Sequence, residues 1–180
     1  SRCHKPRFQH LRKAFELDKP LRIVKPVKEA LMSFISHINV TMTRKDLFIR
    51  AGGFDERLEQ SEDYSLWHYL AVEADLFFVP QTLAFYRQHS ESLTRKLKEH
   101  FNWQILALKK LMKDRRFNIY KPIIRQELGV FHDENAHYFI KNGEFMKAIT
   151  TQMCAIFWDP FRIQLWRNIL PMFGRKEFRT

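Results

Sequence analysis

Gly52-Gly53-Phe54-Asp55-Glu56-Arg57-Leu58, followed two residues later by Ser61-Glu62-Asp63-Tyr64-Ser65-Leu66-Trp67, is the stretch that decides how this chain reads. Before it, Arg44 to Ala51 has helical spacing with Leu47 and Ile49 apolar, and the glycine pair stops that helix. After it, Ser61 has the character of an N-cap, and Glu62 and Asp63 fall in the first turn, where the helix dipole favours acids. Leu66, Trp67, Leu70, Ala71 and Ala74 then form one apolar face. The expectation is a tight turn feeding a helix whose first turn holds an acidic pair on a rigid base. Asp55 is expected to cap a turn while Phe54 anchors the loop in the core.

Working outward, residues 1–36 are basic and interrupted by Pro6, Pro20 and Pro26, with short helical patterns between the prolines. Val27 to Ile35 carries Val27, Ala30, Leu31, Phe34 and Ile35 on one stripe, which predicts a short helix. His37 to Thr43 alternates β-branched residues and predicts a strand. Leu76 to Val79, ended by Pro80, and Thr82 to Gln88 predict two more. The α/β part ends near Ser92, and a boundary between residues 95 and 96 separates it from a helical extension. Within that extension, Phe101 to Met112 carries Ile105, Leu108, Leu111 and Met112 at core spacing. Glu134 to Asp159 predicts two amphipathic helices joined at Asn142-Gly143, the second ending before Asp159-Pro160. One such hairpin resembles a tetratricopeptide unit, but a single copy cannot stack into a solenoid, so a hairpin packed on the rest of the protein is the plainer reading.

The chain has 180 residues, enough for one sizeable domain or a domain with an appendage. Apolar residues make up 45%, while only 5 residues are Gly, which excludes a disordered chain and a turn-rich all-β fold. A net charge of +11 and a pI near 9.8 suit an anionic partner, whether nucleic acid, a membrane face or a phosphorylated substrate. Cys3 and Cys154 form neither a disulfide framework nor a metal spacing, so a reducing, cytoplasmic compartment is expected. No apolar run reaches the roughly 20 residues of a membrane span. The segment Phe157 to Phe173 mixes Phe157, Trp158, Phe161, Trp166, Ile169 and Leu170 with Arg162 and Arg167. That is the composition of a helix able to lie on an anionic bilayer, or of a terminal helix docked on its own domain.

Taken together, Gly52-Gly53-Phe54-Asp55-Glu56, Ser61-Glu62-Asp63-Tyr64-Ser65-Leu66-Trp67, and Pro80-Gln81-Thr82-Leu83-Ala84-Phe85-Tyr86-Arg87-Gln88-His89 with Ser92 resemble the C-terminal half of family 2 glycosyltransferases. The resemblance covers roughly residues 36–95, about a third of the chain, in the family's order and spacing. It implies an α/β fold class: the C-terminal part of a GT-A domain with short strands, followed by a mostly helical extension. It also implies an inverting transfer from a nucleotide-diphosphate sugar, with a divalent metal, Mg or Mn, as cofactor. On this resemblance Asp63 is the catalytic base, taking the proton of an acceptor hydroxyl, and Glu62 shapes the site beside it. The plain alternative for both is a pair of ordinary acids at a helix start.

Arg87 and His89 lie two apart on a predicted strand and so share a face. The resemblance makes them contacts for the leaving diphosphate, with His89 also a candidate metal ligand. The alternative is a strand-end pair that stabilises the fold. Trp67 could stack on an acceptor sugar, although its place on the apolar stripe favours core packing. The family often has Arg where Tyr69 stands here, which leaves acceptor binding open. The Gln-x-x-Arg-Trp signature of processive synthases is absent, so single-sugar transfer is expected, onto a sugar or lipid-linked acceptor. The family's nucleotide-binding half and its Asp-x-Asp motif are also absent, so most of the metal site is expected outside this chain. The rival class is a non-enzymatic basic helical module binding an anionic membrane or nucleic acid, yet no zinc spacing, RNP-like motif or regular basic stripe marks a specific nucleic-acid partner.

Overall fold

A computed structural model describes residues 19–32, 38–81 and 97–173, apart from the side chains of 97–100 and 170–173. The chain divides into two units, Ser1–Ser90 and Glu91–Thr180. Among the described residues it is mostly helical with one two-stranded sheet, a mixed α+β architecture.

In the first unit, β1 (Leu21–Ile23) pairs antiparallel with β2 (Leu76–Phe78), setting Leu21 opposite Phe78 and Ile23 opposite Leu76. The segment between Pro20 and Pro26, expected to be helical, is therefore a strand. Its conformation is chosen by a partner more than fifty residues away, which local periodicity does not report. Lys25 follows in the left-handed region at φ 45°, and the Asp75 carboxylate accepts its backbone N–H at 3.1 Å. The other Asp75 oxygen accepts from the Arg22 guanidinium at 2.6 and 2.9 Å. One side chain thus ties a strained turn to the end of the sheet and sits below the usual carboxylate range, chiefly because of Arg22.

The helix α1 (Val27–Met32) buries Val27, Ala30 and Leu31, and the rest of its predicted stripe lies outside the described residues. The predicted strand at residues 37–43 is corrected: Ile38–Val40 form a single 3-10 turn, closed by Thr41 N–H on the Ile38 carbonyl, and Ile38, Val40 and Met42 are exposed. β-branched alternation stabilises a strand only where a neighbour pairs with it and one face is covered. Next come α2 (Lys45–Arg50) and α3 (Glu62–Glu73), and α1 and α2 both pack on α3. The predicted strand at Thr82 to Gln88 lies outside the described residues.

Among its described residues the second unit has four longer helices, α4 (Leu97–Lys113), α5 (Lys121–Lys141), α6 (Phe145–Trp158) and α7 (Ile163–Phe173), with a 3-10 segment Arg115–Tyr120 between the first two. Asp114 caps that segment by accepting the Arg116 N–H at 2.9 Å, and Pro122 stands in the first turn of α5, where a missing N–H costs nothing. The hairpin of α5 and α6 turns as the sequence predicts. Gly143 is left-handed at φ 74°, its N–H bonds to the Ile140 carbonyl, and the next N–H bonds to that of Phe139. Rather than being left as a lone repeat, the hairpin is sandwiched within its own unit, α4 packing on α5 and α7 on α6. Ile105, Leu108, Leu111, Ile124, Leu128, Ala136, Ala148 and Leu165 form its interior. Burying each of the larger of these side chains contributes about 2 kcal/mol.

Two details show how closely these helices approach. A Cβ on Gly129 would lie 2.9 Å from the Asp159 Cβ and 3.3 Å from the Ala155 carbonyl, so only glycine fits where α5 crosses the end of α6. Asp133 Oδ1 accepts from Gln152 at 2.8 Å and from Asn168 at 2.9 Å, and Gln152 donates again to the Leu165 carbonyl at 2.9 Å. These bonds clamp α5, α6 and α7 to one another.

Candidate functional site

The site begins where α2 stops. Gly52 and Gly53 are both left-handed, at φ 92° and 66°. Gly52 N–H bonds to the Ile49 carbonyl and Gly53 N–H to that of Phe48, the paired closing bonds of a glycine helix stop. The turn lays Gly53 onto the Phe48 ring and brings Phe54 edge-on to Phe48, with centroids 5.3 Å apart. Phe54 is thereby placed at the surface and is corrected from the core anchor the sequence suggests. The turn-capping role of Asp55 holds: its carboxylate accepts the Arg57 backbone N–H and, from one edge of the Arg57 guanidinium, the Nε–H and Nη2–H, and Leu58, which follows, is buried.

The helix then starts where the acidic pair predicts, by a different mechanism. Ser61 is buried and left-handed at φ 61°, and its side chain makes no capping bond. A left-handed residue turns its side chain away from the amides of the first turn. Instead Asp63 Oδ1 accepts the backbone N–H of Tyr64 at 2.7 Å, supplying a partner to one of the donors a helix start leaves open. Glu62 and Asp63 are both half-buried.

The helix they start is not the one-sided element the apolar stripe implies. Tyr64, Ser65, Leu66, Trp67, His68, Tyr69 and Ala71 are all buried, so from Tyr64 to Tyr69, beyond the half-buried acidic pair, α3 is enclosed on every side. The carboxylate of Asp63 therefore stands at the end of the central element of its unit, and it is fixed by a bond to that element's own backbone. Trp67, one turn beyond Asp63, is only 7% exposed and is a core residue in this structure.

His68 is the residue that sequence reading missed. It is fully buried, edge-on to Tyr64 with centroids 4.3 Å apart, and neither ring nitrogen has a hydrogen bond of good geometry. Burial pushes its pKa down to about 4, against a weaker opposing influence from the nearby backbone of Tyr64 and Ala30. The ring is thus neutral at physiological pH. The only signal in the sequence is its position inside the run Leu66-Trp67-His68-Tyr69-Leu70.

Arg87 and His89 lie outside the described residues. Among the described residues no three His, Cys, Asp or Glu side chains come together as a metal site, and no helix is long and apolar enough to cross a membrane. Cys154 is free and exposed. No protein-family profile, curated protein or solved structure matches this chain.

Proposed function

We propose that this chain supplies the acceptor side of an inverting sugar-transfer site of the family 2, GT-A type, with Asp63 as the base. The observation that carries the reading is a half-buried aspartate, bonded to the backbone of the first turn of an enclosed helix, inside the Gly-Gly-Phe-Asp to Ser-Glu-Asp pattern. Such a carboxylate is held to a fixed position, and fixed placement near a bound hydroxyl is what general-base chemistry requires. In the reaction, the acceptor hydroxyl oxygen attacks the anomeric carbon of the donor sugar from the face opposite the diphosphate. The new carbon–oxygen bond forms as the bond to the diphosphate breaks. Asp63 takes the hydroxyl proton and the nucleoside diphosphate leaves. The transition state gathers positive charge on the sugar ring, which acidifies the incoming hydroxyl and lets an ordinary carboxylate accept its proton.

In this proposal Glu62 lines the site beside the base, and Arg87 and His89 meet the diphosphate. The divalent metal and the nucleotide are held mostly by residues that this sequence does not contain, since no Asp-x-Asp occurs in it. The acceptor is a sugar or a lipid-linked sugar, and the setting is cell-surface polysaccharide or glycolipid synthesis on the cytoplasmic side. The test is release of nucleoside diphosphate from a panel of uridine, guanosine and thymidine diphosphate sugars, with magnesium or manganese and oligosaccharide acceptors. The protein translated with its natural upstream sequence is expected to turn over a member of the panel, and the 180-residue chain alone is expected to be inactive. Turnover by the 180-residue chain alone would overturn the division of the site, and no turnover by the longer protein would remove the transfer reading.

A further inference from the structure

The corner between α6 and α7 presents apolar side chains to solvent on a rigid base. Phe157 is 70% exposed, Phe161 93%, Ile163 73% and Trp166 51%, all within ten residues of one helix–turn–helix corner. The backbone beneath them is fixed. Leu165 is buried against Ala155 and Ile156, and Gln152 and Asn168 join α6 and α7 to Asp133. The Trp166 indole N–H donates to the Pro160 carbonyl at 2.8 Å. The one polar atom of that ring is therefore partnered inside the protein, and the exposed ring surface carries no hydrogen-bond demand. Arg162 and Arg167 are exposed on the same corner. From Phe145 to Phe173 the sequence holds a single acid, Asp159, against Lys147, Arg162 and Arg167.

We infer that this corner inserts into the headgroup region of an anionic lipid bilayer, with Phe157, Phe161, Ile163 and Trp166 entering the apolar boundary and Arg162 and Arg167 meeting lipid phosphates. Three features select a lipid surface over a protein partner. Phe161 projects almost clear of the protein, which suits a soft medium that closes around it. The four side chains together expose on the order of 500 Å², short of the roughly 800 Å² per partner of a standard protein interface. The basic, acid-poor sequence complements the negative potential of an anionic leaflet, where each Arg near the surface adds attraction. Trp158, which belongs to the same aromatic cluster in the sequence, is half-buried and faces Phe157 edge-on, so it is a support for the corner rather than a part of the inserting surface. The inference is independent of the sugar-transfer reading.

The test is flotation of the full 180-residue chain with vesicles of phosphatidylcholine alone and of equal parts phosphatidylcholine and phosphatidylglycerol. Binding is expected to the anionic vesicles and to weaken as salt is added. Phe161→Ser with Ile163→Ser should lower the partition coefficient by roughly tenfold or more, since each side chain leaves an apolar medium. Arg162→Glu with Arg167→Glu should lower it on anionic vesicles by a similar factor. Both pairs are exposed, so unchanged circular dichroism and melting temperature are expected to show that the fold is intact. Absence of binding by the unaltered chain, or equal binding by the Phe161/Ile163 variant, would overturn the inference. So would sedimentation equilibrium showing a lipid-free dimer that the same substitutions dissolve, because the corner would then be an interface between copies.

Discussion

The two units solve the same problem with different means. The second unit stacks helices of eleven to twenty-one residues, whose contacts run along their lengths and whose polar bonds join three helices at once. Among its described residues the first unit has two three-residue strands, two six-residue helices and one twelve-residue helix at the centre, joined by turns that hold left-handed residues at Lys25, Gly52, Gly53 and Ser61. Its shape depends on single residues such as Asp75 and on the enclosure of α3. The difference teaches where chemistry can be placed. A short-element unit with a buried central helix presents a helix start and its acids at a fixed point, whereas long packed helices present faces.

The largest expected effect that separates the units comes from His68. Its folded pKa of about 4 lies below the ordinary value of 6.5, so between those values the unfolded chain binds a proton that the folded protein refuses. The stability this confers is whole above about pH 6.5 and is lost as pH falls toward 4, about 3 kcal/mol in all and about 2 kcal/mol between pH 7 and pH 5. His132 in the second unit is shifted the same way, by burial and by Lys109, but it is only partly enclosed and its effect is correspondingly smaller. Trp67 is the sole tryptophan of the first unit. In a chain with Trp103, Trp158 and Trp166 changed to Phe, its fluorescence reports that unit, while helix circular dichroism is dominated by the second. On acidification the urea midpoint seen by Trp67 should fall further than the helix midpoint, and His68→Leu should remove most of the excess. Equal shifts by both probes, unaffected by that substitution, would erase the distinction.

A smaller and sharper comparison uses two matched glycines. Gly52 and Gly143 both end a helix in the left-handed region, at φ 92° and 74°, and a Cβ on either would meet nothing within 4 Å. Substitution by Ala therefore tests backbone conformation alone, at about 1 kcal/mol for each. Urea unfolding of Gly52→Ala and Gly143→Ala should show losses of this size. A negligible loss at Gly52 beside a full one at Gly143 would mean that the turn before the acidic pair relaxes, and that Asp63 stands on less rigid ground than its geometry implies.

Much of this architecture was legible because its causes are local. The glycine stops at Gly52-Gly53 and Gly143, the helix start at Glu62, and the break before Pro160 are written in adjacent residues. What was not legible depends on residues far apart in sequence. Leu21-Arg22-Ile23 is a strand only because Leu76-Phe77-Phe78 lies beside it, and residues 38–43 are not one because nothing among the described residues pairs with them. The enclosure of His68 follows from α1 and α2 packing on α3, which no helical pattern within α3 reveals. In the candidate site, the place of Glu62 and Asp63 could be read from the sequence. The left-handed Ser61 and the bond from Tyr64 N–H to Asp63 could not, since a capping serine and a bypassed one look alike as letters.

The central claim is that Asp63 is the base of a sugar transfer, and a conservative substitution tests it most directly. Asn keeps the oxygen that accepts the Tyr64 N–H and removes the proton acceptor, so Asp63→Asn should fold normally. In the protein with its upstream sequence, the account predicts that turnover falls by about a thousandfold or more while donor binding stays within about twofold. Glu62→Gln should retain a measurable fraction of activity. Turnover by Asp63→Asn close to that of the unaltered protein would contradict the account.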